Sequence, residues 1–166
     1  MKTQFRRRRE GKTNYLKRKG MLKSEKARVV FRKTNKHIIA QYVTSLEAKD
    51  KVEIGVNSKM LLKYGWPKEN EGSLKSLAAS YLTGFLMGKK ILKEKKDTPI
   101  VDLGRISPVH KSRPFAFIKG LIDSGVEIPT KKEDAFPEDE RLQGKNMKKD
   151  FSSIFEKVKA NIESGK

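Results

Sequence analysis

Ala27-Arg-Val-Val-Phe-Arg32, Lys33-Thr-Asn-Lys36 and His37-Ile-Ile-Ala-Gln-Tyr-Val-Thr-Ser45 decide the fold. The first run is β-branched and aromatic, and the third alternates and is β-branched; each predicts a strand. The second is a short polar turn, with an Asn suited to the positive φ of tight turns. Together they predict an antiparallel hairpin. Lys51-Val-Glu-Ile-Gly-Val56 extends it, because Val52, Ile54 and Val56 recur at period two and so predict a half-buried third strand. The three strands form a meander.

The periodicity then changes to helical. Asn57 or Ser58 can cap a short helix holding Met60, Leu61 and Leu62, which Gly65 ends. Residues 68–72 read as a polar loop, and Ser73 as the cap of the longest helix, ending near residues 93–96. Leu74, Leu77, Ala78, Tyr81, Leu82, Phe85 and Leu86 form one apolar stripe. Gly84 and Gly88 mark close packing within a soluble helix rather than a membrane dimer. Residues 100–103 predict a buried strand, which a right-handed crossover lays parallel to the first. Pro114 opens the next helix, with Phe115, Ile118, Leu121 and Ile122 inward and Gly125 at its end. Beyond Pro129, Pro137-Glu-Asp-Glu140 predicts the start of a helix, with acids in its first turn, that Gly144 stops. Asp150 can cap a last helix with Phe151, Ile154, Phe155, Val158 and Ile162 on one face. The expected organisation is a basic arm (1–25), an α/β core (26–128) and a C-terminal helical extension (129–166).

The chain has 166 residues and a net charge of +19. The charge is uneven: residues 1–36 hold fifteen Lys or Arg and two acids, about two thirds of the excess in the first fifth of the chain. A basic arm on a milder body is the footprint of nucleic-acid binding. Cysteine is absent, which excludes disulfides, thiolate chemistry and Cys-based metal sites. No apolar run reaches the length of a membrane span, and the N-terminus lacks the apolar core of a secretory signal. A soluble, cytoplasmic protein without cofactor or small-molecule substrate is expected.

Three surfaces are candidates for RNA contact. In the first, Arg6, Arg7, Arg8 and Arg9 stand in an unbroken run, followed by Lys12, Lys17, Arg18 and Lys19. Guanidinium forks match phosphate oxygens. Four such neighbours repel, so the arm is expected to be extended until a polyanion neutralises it, with a helical turn or two in residues 12–23 on contact. Thr13 and Asn14 offer neutral donors, Gly11 permits close backbone approach, and Phe5 and Tyr15 offer rings for stacking on bases. The second surface is the hairpin: Arg28, Arg32, Lys33, Thr34, Asn35, Lys36, His37 and Gln41. The third is the loop Arg105, His110, Lys111, Ser112 and Arg113, beside a helix N-terminus, a setting that attracts phosphate.

Three stretches are similar to one known family. They are Phe5-Arg-Arg-Arg-Arg-Glu-Gly-Lys-Thr-Asn-Tyr15, Phe31-Arg-Lys-Thr-Asn-Lys-His-Ile-Ile-Ala-Gln41, and Asp102-Leu-Gly-Arg105 with Pro114-Phe-Ala-Phe-Ile-Lys-Gly120. They resemble, in order and over nearly the whole chain, the large-subunit ribosomal protein L-eighteen family (L-five in eukaryotes), in its archaeal type. The resemblance implies a ribonuclease-H-like α/β fold with a mixed sheet. It implies 5S ribosomal RNA as the main partner, a place in the central protuberance of the large subunit, and contacts with large-subunit RNA and neighbouring ribosomal proteins. The loop 107–113 departs mildly from the family's pattern, and the tail after Lys145 is variable in the family, so the resemblance implies nothing for it.

Rival readings are weaker. Gly11-Lys12-Thr13 mimics part of a P-loop, but a P-loop needs a glycine where Arg6 stands and a strand before it. A metal-dependent nuclease needs converging carboxylates; Asp102 has no evident partner except Glu53. A general basic nucleic-acid-binding or DNA-compacting protein is the alternative.

Overall fold

The computed structural model describes residues 3–130, 133–145 and 151–165. The hairpin forms as expected: β1 (Arg28–Lys33) pairs antiparallel with β2 (Ile38–Leu46), which pairs antiparallel with β3 (Lys49–Asn57). β4 (Ile100–Asp102) lies parallel to β1, giving a mixed four-stranded sheet in the order β3-β2-β1-β4. The Thr34 hydroxyl closes the first turn by accepting from His37 N (3.0 Å) and donating to His37 O (2.7 Å). The positive φ angles fall instead in the second turn, at Glu47 (49°) and Ala48 (63°). Two successive left-handed residues twist a tight hairpin correctly, but Asn and Gly are the usual occupants, so the sequence carries little sign of this turn.

The expected single face for Val52, Ile54 and Val56 is incorrect. The register slips between Tyr42 and Val43, so Tyr42 faces Ile54 while Val43 faces Val52, and Glu53 is the extra residue of a bulge. A bulge inverts the alternation beyond it. Ile54 and Val56 are therefore buried in the core, whereas Val52 turns to the opposite face of the sheet and is 50% exposed.

The core lies on one face of the sheet, between Val29 and Phe31 of β1, Ile38, Ala40 and Tyr42 of β2, and the helices. α3 (Leu77–Lys93) is capped by Ser76, whose hydroxyl accepts from Ala79 N (3.2 Å). Ser73 instead ends a stretch of 3₁₀ turns over Lys68–Ser73, where a loop was expected. α3 is buried almost all round from Ala78 to Gly88, not along one stripe, because it has the sheet on one side and other helices on the rest. α4 (Arg113–Asp123) crosses it with the two backbones touching. A Cβ on Gly84 would overlap the Phe117 carbonyl oxygen, and one on Gly120 would overlap that of Tyr81. The Gly-x-x-x-Gly spacing thus serves close helix packing.

The C-terminal helices pack on the helical side of the sheet, against α3. α5 (Asp139–Gln143) ends at Gly144 in the left-handed region. α6 (Ser152–Ser164) docks on α3 and on the 3₁₀ helix Ser58–Tyr64, which Asn57 caps. Phe155 packs on Tyr81 at 5.4 Å, Phe151 packs on Trp66 at 4.8 Å, and the Asn161 amide donates to Tyr64 O at 2.9 Å. Asp150, the expected cap, lies outside the described residues. With this face filled by helices, the opposite face of the sheet is left to the N-terminal arm.

Candidate nucleic-acid interface

The arm is not extended. Arg6–Arg9 form one helical turn, α1, and Tyr15–Lys23 form a nine-residue helix, α2. Asn14 starts α2 because its side-chain oxygen accepts from Leu16 N (3.1 Å) and Lys17 N (3.2 Å), satisfying two otherwise orphaned donors. The link between the helices closes on itself. Lys12 N and Thr13 N both donate to Arg7 O, Arg7 Nε donates to the Thr13 hydroxyl at 2.9 Å, and Gly11 supplies the positive φ of 64°. Repulsion within the arginine run is relieved by pointing the side chains outward and by Glu10, which pairs with Arg6 (3.5 Å) and Lys12 (2.8 Å). Phe5 and Tyr15, expected to stack on bases, meet each other at 5.1 Å across the neck of this loop. Phe5 remains 71% exposed.

The arm runs over the outer face of the sheet and leaves a cleft of about 480 Å³ between them. The arm wall holds Arg7, Lys12, Thr13, Asn14, Tyr15, Lys17, Arg18 and Met21. The floor holds Arg28, Val30, Arg32, Gln41, Val43 and Val52, with Asp50, Asp102 and Gly104. Two surfaces that are separate in sequence therefore face one another across a single cavity.

The floor is threaded by a ladder of alternating charges. Arg18 of the arm donates to Asp50 Oδ2 at 2.8 Å and to Ala48 O at 3.2 Å, so the strained second turn is where the arm is tied down. Arg28 reaches the other oxygen of Asp50 at 2.7 Å and the Ser45 hydroxyl at 2.9 Å, and lies 3.8 Å from Asp102 Oδ2. Arg32 donates to Asp102 Oδ2 at 3.2 Å and to Asp102 O at 3.1 Å. Asp102 Oδ1 accepts from Gly104 N at 2.7 Å, which fixes the Asp102-Leu103-Gly104 turn. Gly104 (φ 63°) supplies the left-handed conformation this turn requires, and a Cβ there would come within 2.8 Å of Arg32 Nη1 and displace the guanidinium.

Burial raises the Asp50 carboxyl, but hydrogen bonds from Arg18 and Ser45 and the charge of Arg28 outweigh it. The net value lies below the ordinary carboxylate range. The same hydrogen bond raises Arg18. Arg28 is 2% exposed, so its charge is spent inside the protein as a strut between the two acids. Asp50 and Asp102 are parts of the cleft that the sequence reading did not assign. Residue type does not mark them, because their role follows from a register and a turn.

The remaining expected residues divide. Arg8 and Arg9 are exposed, and their guanidiniums have no partner among the described residues; Lys17 and Lys19 are also exposed. At the hairpin tip, Lys33 and Lys36 are exposed, Asn35 O accepts from Lys75 Nζ at 2.8 Å, and His37 Nδ1 is buried with no partner among the described residues. Lys36 and His37 line a second hollow with Lys59 and Glu71, away from the arm. In the third surface, Arg105 is exposed and His110 packs edge-on against Phe115. Lys111 pairs with Glu138 at 2.6 Å, and Arg113 Nε is buried, again with no partner among the described residues. The Ser112 hydroxyl donates to Val109 O and not into α4. Asp102 and Glu53 do not combine: Asp102 faces Arg28 and Arg32, whereas Glu53 pairs with Lys96 at 2.9 Å.

Residues 1–104 match the family described as ribosomal large subunit proteins 60S L5, and 50S L18. The chain belongs to that family. Large ribosomal subunit protein uL18 of Korarchaeum cryptofilum is 42% identical over 146 residues, which cover 88% of this chain and 72% of the relative. The uL18 protein of Methanospirillum hungatei is 41% identical over 143 residues, 86% of this chain and 79% of that one. That of Methanothermobacter thermautotrophicus is 37% identical over 155 residues, 93% and 78% respectively. These relatives confirm the resemblance drawn from the three motifs and its archaeal type. The matched region of the uL18 family contains the whole arm and the whole sheet, and so both walls of the cleft.

Proposed function

We propose that the chain is a structural component of the large ribosomal subunit that binds 5S ribosomal RNA through the arm and the outer face of the sheet, and so anchors that RNA in the central protuberance. The supporting observation is the arrangement of charge. The cations of the floor, Arg28 and Arg32, are balanced by carboxylates, whereas Arg8, Arg9 and Lys19 of the arm are exposed to solvent and Lys17 stands at the cleft's edge. Folded RNA presents phosphates and 2′-hydroxyls at several heights, and a ridge of outward cations beside a cleft suits that shape. Large-subunit RNA would meet the hairpin tip at Lys33, Lys36 and His37, and neighbouring ribosomal proteins the remaining surface. The cleft is a binding surface in this reading, with no catalytic step assigned to it. The test is competition at about 150 mM salt, where surface charge is partly screened. Labelled 5S RNA should be displaced by unlabelled 5S RNA and poorly by tRNA or duplex DNA. Equal displacement by all three would favour a general nucleic-acid-binding protein instead.

A further inference from the structure

The cleft between arm and sheet has a floor that phosphate would not choose. Arg18 and Arg28 share Asp50 and Arg32 is held by Asp102, so most of their charge is offset and two carboxylates stand beside them. Coulomb repulsion between an acid and a phosphate is strongest where water is scarce. What the floor leaves unspent is of a different kind. The Gln41 amide, on central strand β2, has no hydrogen-bond partner among the described residues and lines the cavity. Val30, its partner on β1, lines the same cavity, as do Val52 and, on the arm wall, Tyr15, whose ring meets Phe5. A primary amide presents a donor and an acceptor side by side, the pattern that reads the edge of adenine and related bases in pairs. The valine side chains and the tyrosine ring suit the flat face of a base. The cavity, about 480 Å³, lies within the range of clefts that enclose small ligands, about 300–1,000 Å³.

We infer that the cleft takes one unstacked nucleobase of the bound RNA, with its polar edge on Gln41 and its face against Tyr15, while the flanking phosphates stay on the cationic rim at Arg7, Lys12 and Lys17. This inference rests on the RNA-binding reading above and names the part of the RNA that enters. Asp50 acts as a positioning residue, because it holds Arg18 and so keeps the arm wall at the distance that leaves room for a base.

The test uses the full-length protein, an archaeal 5S RNA transcript, and two kinds of probing: base-specific chemical modification and backbone cleavage by hydroxyl radicals. Gln41→Leu removes the amide at nearly constant volume, and Val52→Trp fills the cleft from a half-exposed position without disturbing the core. With the unaltered protein, at least one unpaired base should be protected. Either variant should restore its reactivity and weaken binding about ten-fold or more, with the backbone footprint and the salt dependence unchanged. Identical base reactivity with the unaltered protein and both variants would overturn the inference while leaving the RNA-binding reading intact. Failure of the unaltered protein to prefer 5S RNA over tRNA would overturn both.

Discussion

Replacing Arg8 and Arg9 together by alanine isolates the contribution of outward charge from that of the fold. Neither guanidinium has a partner among the described residues, and both side chains are exposed, so the double variant should unfold at the same temperature as the parent. Its binding to 5S RNA should change in a specific way. Each phosphate neutralised contributes about 0.9 to the slope of log affinity against log salt, on the duplex calibration. Removing two such cations therefore flattens the slope by about 1.8, and the affinity advantage of the parent over the variant should shrink about 12-fold between about 50 and about 200 mM salt. Filter binding or fluorescence anisotropy across a salt series reads this directly. A variant with the parent's slope would show that the arginine run does not touch phosphate, whatever the change in affinity at one salt concentration.

Other outcomes follow from the interior of the cleft and the core. Arg28→Met leaves Asp50 to Arg18 and Asp102 to Arg32; losing the charge-assisted hydrogen bond to Asp50 should cost about 1.5–3 kcal/mol, so the midpoint of thermal unfolding should fall by about 3–12 °C. Gly84→Ala forces a methyl group into the Phe117 carbonyl and should cost about 1–3 kcal/mol in urea unfolding, whereas Gly20→Ala, with open space around it in α2, should stabilise that helix by about 0.5–1 kcal/mol. The tie between arm and sheet should depend on acid. The Asp50 carboxyl is depressed in the folded state, so its contribution is complete above the ordinary value near about 4 and is lost as pH falls through the lower, folded value. Amide exchange in residues 16–23 should accelerate over that acidic window, and Asp50→Asn should show the faster exchange at neutral pH with no acid step.

The sheet was legible in the sequence because β-branched runs and a turn announced its first three strands, and a long helix before Ile100 implied the parallel fourth. The bulge at Glu53 was not, since a period-two pattern over Val52, Ile54 and Val56 looks the same whether or not the partner strand slips. Burial all round α3 was hidden as well. Ser80 and Thr83 are polar by type, but Ser80 donates to Arg113 O and Thr83 to Ala79 O, so both sit comfortably inside. In the site, residue type announced which arm cations stand exposed, Arg8, Arg9 and Lys19 among them. It misjudged Arg28, whose identity is that of a phosphate ligand but whose register places it between two acids at 2% exposure. It also took the arm to be extended, because the Asn14 cap and the Arg7–Thr13 closure each depend on geometry over a few residues and not on net charge.

On the proposed reading, outward cations of the arm, held over the sheet by Arg18 and Asp50, recognise one structured RNA. The most direct measurement is recovery of RNA with the full-length protein from cell extract, set beside a variant in which Arg6 to Arg9 are all alanine. 5S RNA should be enriched over tRNA with the parent and lost with the variant, while both proteins remain equally folded. Equal 5S RNA on both, or none on the parent, would contradict it.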